Sequence, residues 1–330
     1  MNNMERFSLT RGPSSDSRTD FEDDVRAGLT REVKELGCRH LYDERGSQLF
    51  DEICVQPEYY PTRVEAKILE QIAPKLARRF GKRPRLIELG AGSSTKTRFL
   101  IDALIREHSK LIFEPIDISP TAIEEGCAEL LASFPDLEVR AIAAEYVTGL
   151  KLLAQAGDAR EDPWLISWLG SSIGNFHRVD AASFLSELRK QLSPGDGLLV
   201  GIDMRKEKAV LEAAYDDAAG VTGLFMGNLL VRINAELGGE FDPEGFGYRA
   251  HYNEELGRVE MSLSSKHACK VAIRDLDLVV DFEVGEAIHM ENSYKYSPLE
   301  IESLATMSGL RVAELWSDEQ GRFSEVLFEL

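Results

Sequence analysis

Residues 85–97 read Arg-Leu-Ile-Glu-Leu-Gly-Ala-Gly-Ser-Ser-Thr-Lys-Thr, and this stretch decides the fold. An apolar run at 85–89 leads into a glycine-rich turn and then into a helical pattern through Phe99, Leu100, Ala103 and Leu104. A strand that enters a helix through glycines opens a doubly wound sheet, because glycine lets the backbone approach a ligand closely at the helix start. We therefore expect an α/β protein whose first sheet strand is 85–89.

The same alternation of strand and helix continues along the chain. The run at 163–171 is almost entirely apolar, as expected of a strand that is buried on both faces. Alternation at this spacing predicts a doubly wound, Rossmann-like parallel sheet. Beyond 85–89, the predicted strands of this part are 111–117, 137–145, 163–171 and 197–202, with helices at 64–80 and 184–192.

The alternation breaks after Asp203, where the pattern predicts an inserted α+β domain. Two helices are predicted first, followed by a loop rich in glycine and aromatic residues and then by three strand-like runs. After Pro298 the earlier pattern returns and completes the sheet with an antiparallel pair. The predicted elements are helices at 206–218 and 222–236, strand-like runs at 257–265, 269–282 and 286–293, a helix at 299–307, and strands at 311–316 and 323–330.

Charge and composition narrow the possible partners. The 330 residues include 38 Lys and Arg against 57 Asp and Glu, a formal net charge of −19. Such a field repels phosphate backbones and anionic bilayers, so we expect neither nucleic acid nor a membrane as a partner. Residues 1–20 are polar and resemble no signal peptide, and no later run reaches membrane-spanning length. We expect a soluble, cytoplasmic protein. We also expect a monomer, although no pattern in the sequence bears on the oligomeric state.

Neither cysteine nor histidine spacing indicates a metal site or a disulfide framework. His177 is the histidine that spacing allows near a functional site, because it lies two residues past Asn175. The remaining histidines are interpreted as structural or surface residues. The four cysteines are Cys38, Cys54, Cys127 and Cys269, and no two of them form a C-x-x-C pair.

Polar side chains follow consecutive predicted strands, where a doubly wound sheet binds its ligand. Asp117 ends the second strand, 27 residues past Gly90, where an acid accepts hydrogen bonds from ribose hydroxyls. Glu145 ends the third strand and could accept from an adenine amino group, and Tyr146 offers a face for stacking. Each residue alone could be an ordinary loop side chain. Together, on consecutive strands, they predict a nucleoside-containing ligand.

Three other classes of protein remain open on these residues. A dehydrogenase would need a third glycine near Ser94 and a closer acid than Asp117. A P-loop NTPase is nearer, because residues 90–97 match its phosphate loop except that Thr95 replaces the second glycine. A β-branched residue resists the backbone conformations that wrap phosphates, which disfavours this class. The third class is a ligand-binding module without catalytic activity, and only an activity assay can distinguish it from an enzyme.

Longer strings resemble the L-histidine Nα-methyltransferases of ergothioneine biosynthesis, a family of class I S-adenosylmethionine-dependent methyltransferases. The resemblance runs from about Asp24 to the C-terminus. It implies a class I methyltransferase domain at 64–205 and 296–330, a substrate-recognition domain at 22–63 and 206–295, and a flexible tail at 1–21. The strings that carry it are Leu-Tyr-Asp at 41–43, Pro-Glu-Tyr-Tyr-Pro-Thr-Arg at 57–63, Leu-Gly-Ser-Ser-Ile-Gly-Asn at 169–175, Tyr-Asp-Asp-Ala-Ala-Gly-Val-Thr at 215–222 and Glu-Asn-Ser at 291–293.

This resemblance also implies the ligands and the residues that hold them. L-histidine would receive methyl groups, three of them to give hercynine; an Nα-methyltransferase of another amino acid, such as tryptophan, is the alternative. Where the family has aspartate and phenylalanine after the third strand, this chain has Glu145 and Tyr146, which keep an acceptor and an aromatic face. The implied cofactor residues are Gly90, Lys96, Asp117, Glu145 and Tyr146. The implied catalytic residues are Tyr42, Tyr59, Asn175 and Tyr215, of which the last three also bind the substrate, together with Met261, Glu291, Asn292 and Ser293.

Overall fold

The chain divides into two units in its structure, a computed structural model that describes residues 6–12, 17–81, 84–92, 94–156 and 162–330. Unit 1 comprises the described parts of 1–14, 61–205 and 296–330, and unit 2 those of 15–60 and 206–295. Residues 61–63 therefore belong to unit 1, whereas the sequence prediction grouped them with the inserted domain. Among the described residues, no helix is both long and apolar enough to cross a bilayer.

The secondary structure alternates through unit 1 and becomes mixed in unit 2. The strands are β1 (Phe7–Arg11), β2 (Arg85–Leu89), β3 (Leu111–Asp117), β4 (Leu137–Ala143), β5 (Trp164–Trp168), β6 (Gly197–Asp203), β7 (Phe246–Asn253), β8 (Arg258–Ser265), β9 (Cys269–Ile273), β10 (Leu278–Phe282), β11 (Ala287–Tyr294), β12 (Arg311–Ser317) and β13 (Phe323–Glu329). The helices are α1 (Ser17–Leu29), α2 (Glu44–Cys54), α3 (Pro61–Arg79), α4 (Arg98–His108), α5 (Pro120–Ser133), α6 (Tyr146–Ala156), α7 (Arg178–Arg189), α8 (Lys208–Tyr215), α9 (Val221–Leu237) and α10 (Pro298–Ser308).

Unit 1 is built on an eight-stranded sheet with the order β1-β4-β3-β2-β5-β6-β13-β12. Strands β1 to β6 are parallel to one another, whereas β13 runs antiparallel to β6 and β12 antiparallel to β13. This confirms the doubly wound sheet and its closing antiparallel pair. The strand order reverses between β2 and β5, so the carboxyl ends of these strands border the crevice where such sheets bind ligands. Every residue of β5 and β6 is buried, as central strands require.

The prediction of a flexible tail at 1–21 is wrong for the residues that form the first strand of the sheet. Phe7–Arg11 forms β1, an edge strand whose Phe7 pairs with Val139 of β4, and α1 begins at Ser17. Five residues of which none is buried give almost no periodic signal. The strand exists because β4 offers unpaired backbone groups along its outer edge, which sequence patterning does not reveal.

Unit 2 contains a three-stranded antiparallel sheet, β11-β8-β7, and a separate hairpin of β9 and β10. Two predictions for this region are wrong. The loop predicted after α9 contains β7, and the single run predicted at 269–282 is two strands joined by a 3-10 turn at Arg274–Leu276. Asp277 closes that turn with φ 44°, a left-handed conformation that aspartate tolerates. Apolar residues stand on both sides of the turn, so the segment resembles one strand although Arg274, Asp275 and Asp277 are charged.

We predict that Arg6 anchors β1 to the rest of unit 1. Its guanidinium donates to the carbonyls of Leu131 (2.8 Å), Phe134 (2.9 Å) and Leu137 (2.9 Å), at and just beyond the C-terminus of α5. Helix C-terminal carbonyls lack partners within the helix, so a charged donor stabilises them. Arg6→Met should lower the free energy of unfolding by about 1–2 kcal/mol, measured by urea denaturation of the full chain and seen as a lower urea midpoint.

Arg45→Met is the matched control, because Arg45 makes only surface contacts, among them an ion pair with Glu52. It should change stability by less than about 0.5 kcal/mol. Equal midpoints for the two variants would contradict the anchoring role of Arg6.

Candidate functional site

The turn after β2 has a backbone that requires glycine. Gly90 and Gly92 both have positive φ, 72° and 47°. A Cβ on Gly90 would lie 2.6 Å from the Tyr146 hydroxyl, too close for any side chain. Gly90 also donates its N–H to the Ile116 carbonyl at 2.9 Å, which joins the turn to β3. The turn thus leaves open backbone at the carboxyl edge of the sheet, with a phenol beside it.

Asp117 lies against this turn, as its position in the sequence predicted. Its carboxylate accepts hydrogen bonds from the N–H of Gly92 at 3.3 Å and of Ser119 at 3.0 Å. Burial raises the pKa of Asp117, and the backbone donors of Ser119, Gly92 and Ile118 oppose that shift. A largely buried carboxylate at the end of β3 is therefore held at the edge where a ribose would bind.

Glu145 and Tyr146 lie at the neighbouring strand end. Glu145 is exposed just before α6, and Tyr146 is the first residue of that helix. The ring of Tyr146 contacts those of Trp168 (6.3 Å between centroids) and Phe184 (6.0 Å). Because Ala144 donates its N–H to the Asp117 carbonyl at 2.9 Å, the ends of β3 and β4 stay together. The structure thus brings Gly90, Asp117 and Tyr146 into one neighbourhood with Glu145 beside it.

Glu88 shapes the same loop and was not among the predicted site residues. It is buried in β2 and accepts hydrogen bonds from the hydroxyls of Thr97 and, at 3.2 Å, Ser94. Burial raises its pKa to about 8, while the Thr97 hydroxyl and the charge of Lys96 oppose the shift. Glu88 therefore holds the segment that follows the glycine turn against the strand. The sequence signal that could have identified Glu88 is an acid followed by hydroxyl residues six and nine positions later.

Lys96, predicted to bind the cofactor, forms an ion pair with Glu65 of α3. Glu65 is fully buried and also accepts the N–H of Gly170 at 2.6 Å. Glu325 of β13 is buried nearby, and burial and the charge of Glu65 raise its pKa well above the usual range. In a P-loop the lysine binds phosphate, whereas here Lys96 pairs with a buried carboxylate. This geometry disfavours the NTPase reading.

The string 169–175 forms the turn that follows β5. Gly170 and Ser171 are consecutive left-handed residues, with φ 78° and 58°. The Ser171 hydroxyl accepts the N–H of Asp203 at 2.9 Å, which holds the strained residue in place. The turn ends in a short 3-10 helix whose last residue, Asn175, is exposed, and His177 directly precedes α7. Asn175 thus belongs to unit 1.

The predicted tyrosines of unit 2 belong to one aromatic cluster. Tyr59 lies 6.1 Å from Tyr215 and 6.4 Å from Phe50, measured between ring centroids. Tyr42 lies 5.5 Å from Phe50 and 5.4 Å from Phe225 and remains 43% exposed. The structure therefore brings Tyr42, Tyr59 and Tyr215 together in one cluster of aromatic rings.

Glu291 and Ser293 share one face of β11, as their spacing predicted. Burial raises the pKa of Glu291 to about 7, and the positive charge of Lys295 opposes that shift. Within the described part of the chain, no group donates a hydrogen bond to the Glu291 carboxylate. Met261 of β8 lies directly opposite Glu291 in the sheet. Asn292, predicted with them, lies on the other face because side chains alternate along a strand.

Lys295 is a member of this group that the sequence prediction missed. It is fully buried, and its ammonium donates to the Tyr215 hydroxyl at 2.6 Å and to the Ser293 hydroxyl at 2.8 Å. Tyr215 and Ser293 are themselves 2.9 Å apart. The signal that could have found Lys295 is the two-residue spacing, which continues from Glu291 through Ser293.

Comparison with known proteins adds to this geometry. A family described as histidine-specific, S-adenosylmethionine-dependent methyltransferases matches residues 21–330. This chain belongs to that family. The match covers residues of both units.

Relatives of this methyltransferase include N-methyltransferases of amino acids and a protein of ergothioneine biosynthesis. A histidine N-alpha-methyltransferase of Mycolicibacterium smegmatis is 39% identical over 300 residues, 91% of this chain and 92% of the relative. An ergothioneine biosynthesis protein 1 of Schizosaccharomyces pombe is 32% identical over 267 residues, 79% of this chain and 34% of the longer relative. A 4-dimethylallyltryptophan N-methyltransferase of Arthroderma benhamiae is 29% identical over 320 residues, 92% of each chain.

The residues of unit 1 fit the nucleoside of S-adenosylmethionine, which this family uses. A Cβ on Gly92 would meet no atom within 4 Å, so the turn has open space there, and the carboxylate of Asp117 accepts the Gly92 N–H beside it. Asp117→Ala should leave the fold intact and weaken cofactor binding by about 1.5–3 kcal/mol, since it removes hydrogen bonds to a charged group. Titration calorimetry with S-adenosylhomocysteine measures this loss.

Asp136→Ala removes an exposed aspartate from the same unit and should leave the affinity unchanged. If Asp117→Ala binds as tightly as this control, Asp117 does not hold the cofactor.

Proposed function

We propose that the chain transfers methyl groups from S-adenosylmethionine to the α-amino nitrogen of L-histidine, three times to give hercynine, in ergothioneine biosynthesis. The observation that supports histidine as the substrate is the half-buried Glu291 carboxylate, to which no described group of the protein donates a hydrogen bond, with the Ser293 hydroxyl on the same face. Desolvation of this carboxylate is costly unless a ligand supplies a hydrogen-bond donor.

An imidazole supplies what these two side chains need. Its ring donates from one nitrogen and accepts at the other, so Glu291 would accept from the first while the Ser293 hydroxyl faces the second. A phenyl ring offers neither group, and an indole offers only a donor. Substrates without both groups leave a polar group of the protein unpaired, which can produce discrimination of about 10⁴-fold. The site thus favours histidine over other aromatic amino acids.

The amine and carboxylate of the substrate would be held by Tyr59, Tyr215 and Asn175, with Tyr42 nearby. The bound cofactor supplies an electrophilic methyl group on a sulfonium. Displacement at that carbon needs a free lone pair on the amine and close alignment, so neutral hydrogen-bonding groups suffice. We therefore expect these residues to orient the nitrogen and to let its proton leave to solvent, without a dedicated strong base.

The cofactor would be held in unit 1. Asp117 would accept hydrogen bonds from the ribose hydroxyls, Glu145 from the adenine amino group, and Tyr146 would stack on the base. Gly90 provides the close backbone approach. Lys96 remains a proposed cofactor residue whose ammonium is fixed by Glu65.

Product analysis tests the proposal directly. The purified protein, incubated with L-histidine and S-adenosylmethionine carrying deuterated methyl groups, should yield trimethylhistidine with all three labels on the α-nitrogen. Fragmentation mass spectrometry distinguishes this position from the imidazole nitrogens. L-tryptophan and L-phenylalanine, run in parallel, should give no product at equal enzyme concentration. Label on the ring, or a preference for tryptophan, would overturn the assignment.

Glu291→Ala tests how the substrate is chosen. It should lower kcat/KM for histidine by about 100-fold or more, because the acceptor for the imidazole N–H is lost. The same change should raise the rates with phenylalanine and tryptophan relative to the rate with histidine, since no carboxylate is left unpaired when these substrates bind. Initial rates with the three amino acids measure both effects.

Glu255→Ala is the matched control. It removes an exposed glutamate from the turn between β7 and β8, so the charge of unit 2 changes equally. If Glu291→Ala and this control both retain wild-type kcat/KM for histidine, the imidazole is recognised by other groups.

A further inference from the structure

Lys295 lies just beyond the last residue of β11, in a backbone that still continues the sheet. Its N–H donates to the Gly257 carbonyl at 2.8 Å. Because the chain stays extended there, Glu291, Ser293 and Lys295 follow one another at two-residue spacing along one face. The lysine is fully buried, although a buried ammonium is costly unless the protein uses its hydrogen bonds and charge.

The ammonium of Lys295 and two hydroxyls form a closed triangle. The sides are 2.6 Å from Nζ to the Tyr215 oxygen, 2.8 Å from Nζ to the Ser293 oxygen, and 2.9 Å between the two oxygens. Nζ also lies 4.3 Å from the centroid of the Tyr215 ring. The backbone end of Tyr215 is held separately, because the Tyr248 hydroxyl donates to its carbonyl at 2.6 Å.

The chemistry of lysine fixes the direction of these hydrogen bonds. An ammonium donates and never accepts, so both oxygens of the triangle must accept from it. One hydroxyl hydrogen is used between Tyr215 and Ser293. The hydrogen of the other hydroxyl cannot point at Lys295 and must point out of the triangle. With a neutral apolar side chain in place of Lys295, both hydroxyls could rotate freely and their orientation would be lost.

We infer that Lys295 is a positioning residue for the substrate: it orients the Tyr215 and Ser293 hydroxyls and supplies the positive charge that complements Glu291. The inference rests on the proposed function, because Tyr215, Ser293 and Glu291 are its proposed histidine-binding residues. The effect on Glu291 is electrostatic, since the charge of Lys295 opposes the rise in the pKa of this carboxyl. Lys295 thus connects Glu291, proposed to bind the imidazole, with Tyr215, proposed to hold the amine and carboxylate of histidine.

The test is a set of single and double variants of the full chain. Lys295→Met keeps an unbranched side chain as far as Cε and removes the ammonium with its charge and donors. We expect it to raise KM for histidine about 10- to 100-fold, the range for a hydrogen bond to a charged group, with a smaller change in kcat. The dissociation constant of S-adenosylhomocysteine, measured by calorimetry, should stay within about twofold of the wild-type value, because no cofactor residue belongs to the triangle.

Coupling to Tyr215 separates positioning from general support of the fold. If Lys295 acts through the phenol, Lys295→Met combined with Tyr215→Phe should cost little more than the worse single variant. Additive losses, or a KM unchanged in Lys295→Met, would overturn the inference. Lys295→Gln provides a second route if the methionine variant fails to fold. Its neutral amide can still donate to both oxygens, so its KM should lie between those of the wild type and Tyr215→Phe.

Unit 2 contains a matched control with similar local chemistry. Lys206 donates to the Tyr60 hydroxyl at 2.6 Å and lies 4.6 Å from the centroid of that ring. Lys206→Met therefore removes a lysine–phenol contact outside the triangle and should change KM for histidine by less than about threefold. A wild-type protein that forms no methylated histidine contradicts the proposed function itself. An active wild type whose Lys295→Met variant matches Lys206→Met contradicts only the role of Lys295.

Discussion

A fully buried carboxylate, Glu65 of α3, is the constraint on which the ligand edge of unit 1 depends. A charge in the core must be paired and hydrogen-bonded, so the structure brings partners to it. Lys96 arrives from the loop after β2, and the Gly170 N–H from the turn after β5. Gly201 of β6 must lack a side chain, because a Cβ there would lie 2.2 Å from the Glu65 carboxylate. One acid thereby fixes both turns that border the crevice of the sheet.

The carboxylates of Glu65, fully buried, and Glu291, half-buried, illustrate two uses of the same group. Glu65 has its partners within the protein and therefore serves the fold. Glu291 is half-buried, but no described group donates a hydrogen bond to it, and the charge of Lys295 stabilises its ionised form. An acceptor prepared in this way gains most from a ligand that brings a donor. The contrast lies in the partners of each acid rather than in its sequence context.

Several site residues could be predicted because local rules place them. Acids at the ends of consecutive parallel strands must lie along one edge, which located Asp117 and Glu145, and residues two apart on a strand share a face, which paired Glu291 with Ser293. The alternation of side chains also separates Asn292 from that pair. Lys295 fits the same two-residue rule, but a lysine beyond a strand end is usually exposed, and only the packing around it shows that it is buried.

The sequence by itself determined the doubly wound sheet, its closing antiparallel pair and the glycine turn, because periodicity and backbone freedom are properties of neighbouring residues. The tertiary structure alone decided that Phe7–Arg11 is a strand, that β7 exists, and which buried charges are paired. Each of these depends on a partner far away in the chain: β1 on β4, β7 on β8, Lys96 on Glu65 and Lys295 on Tyr215. Such pairings are set by the free energy of packing and desolvation, which no local pattern contains.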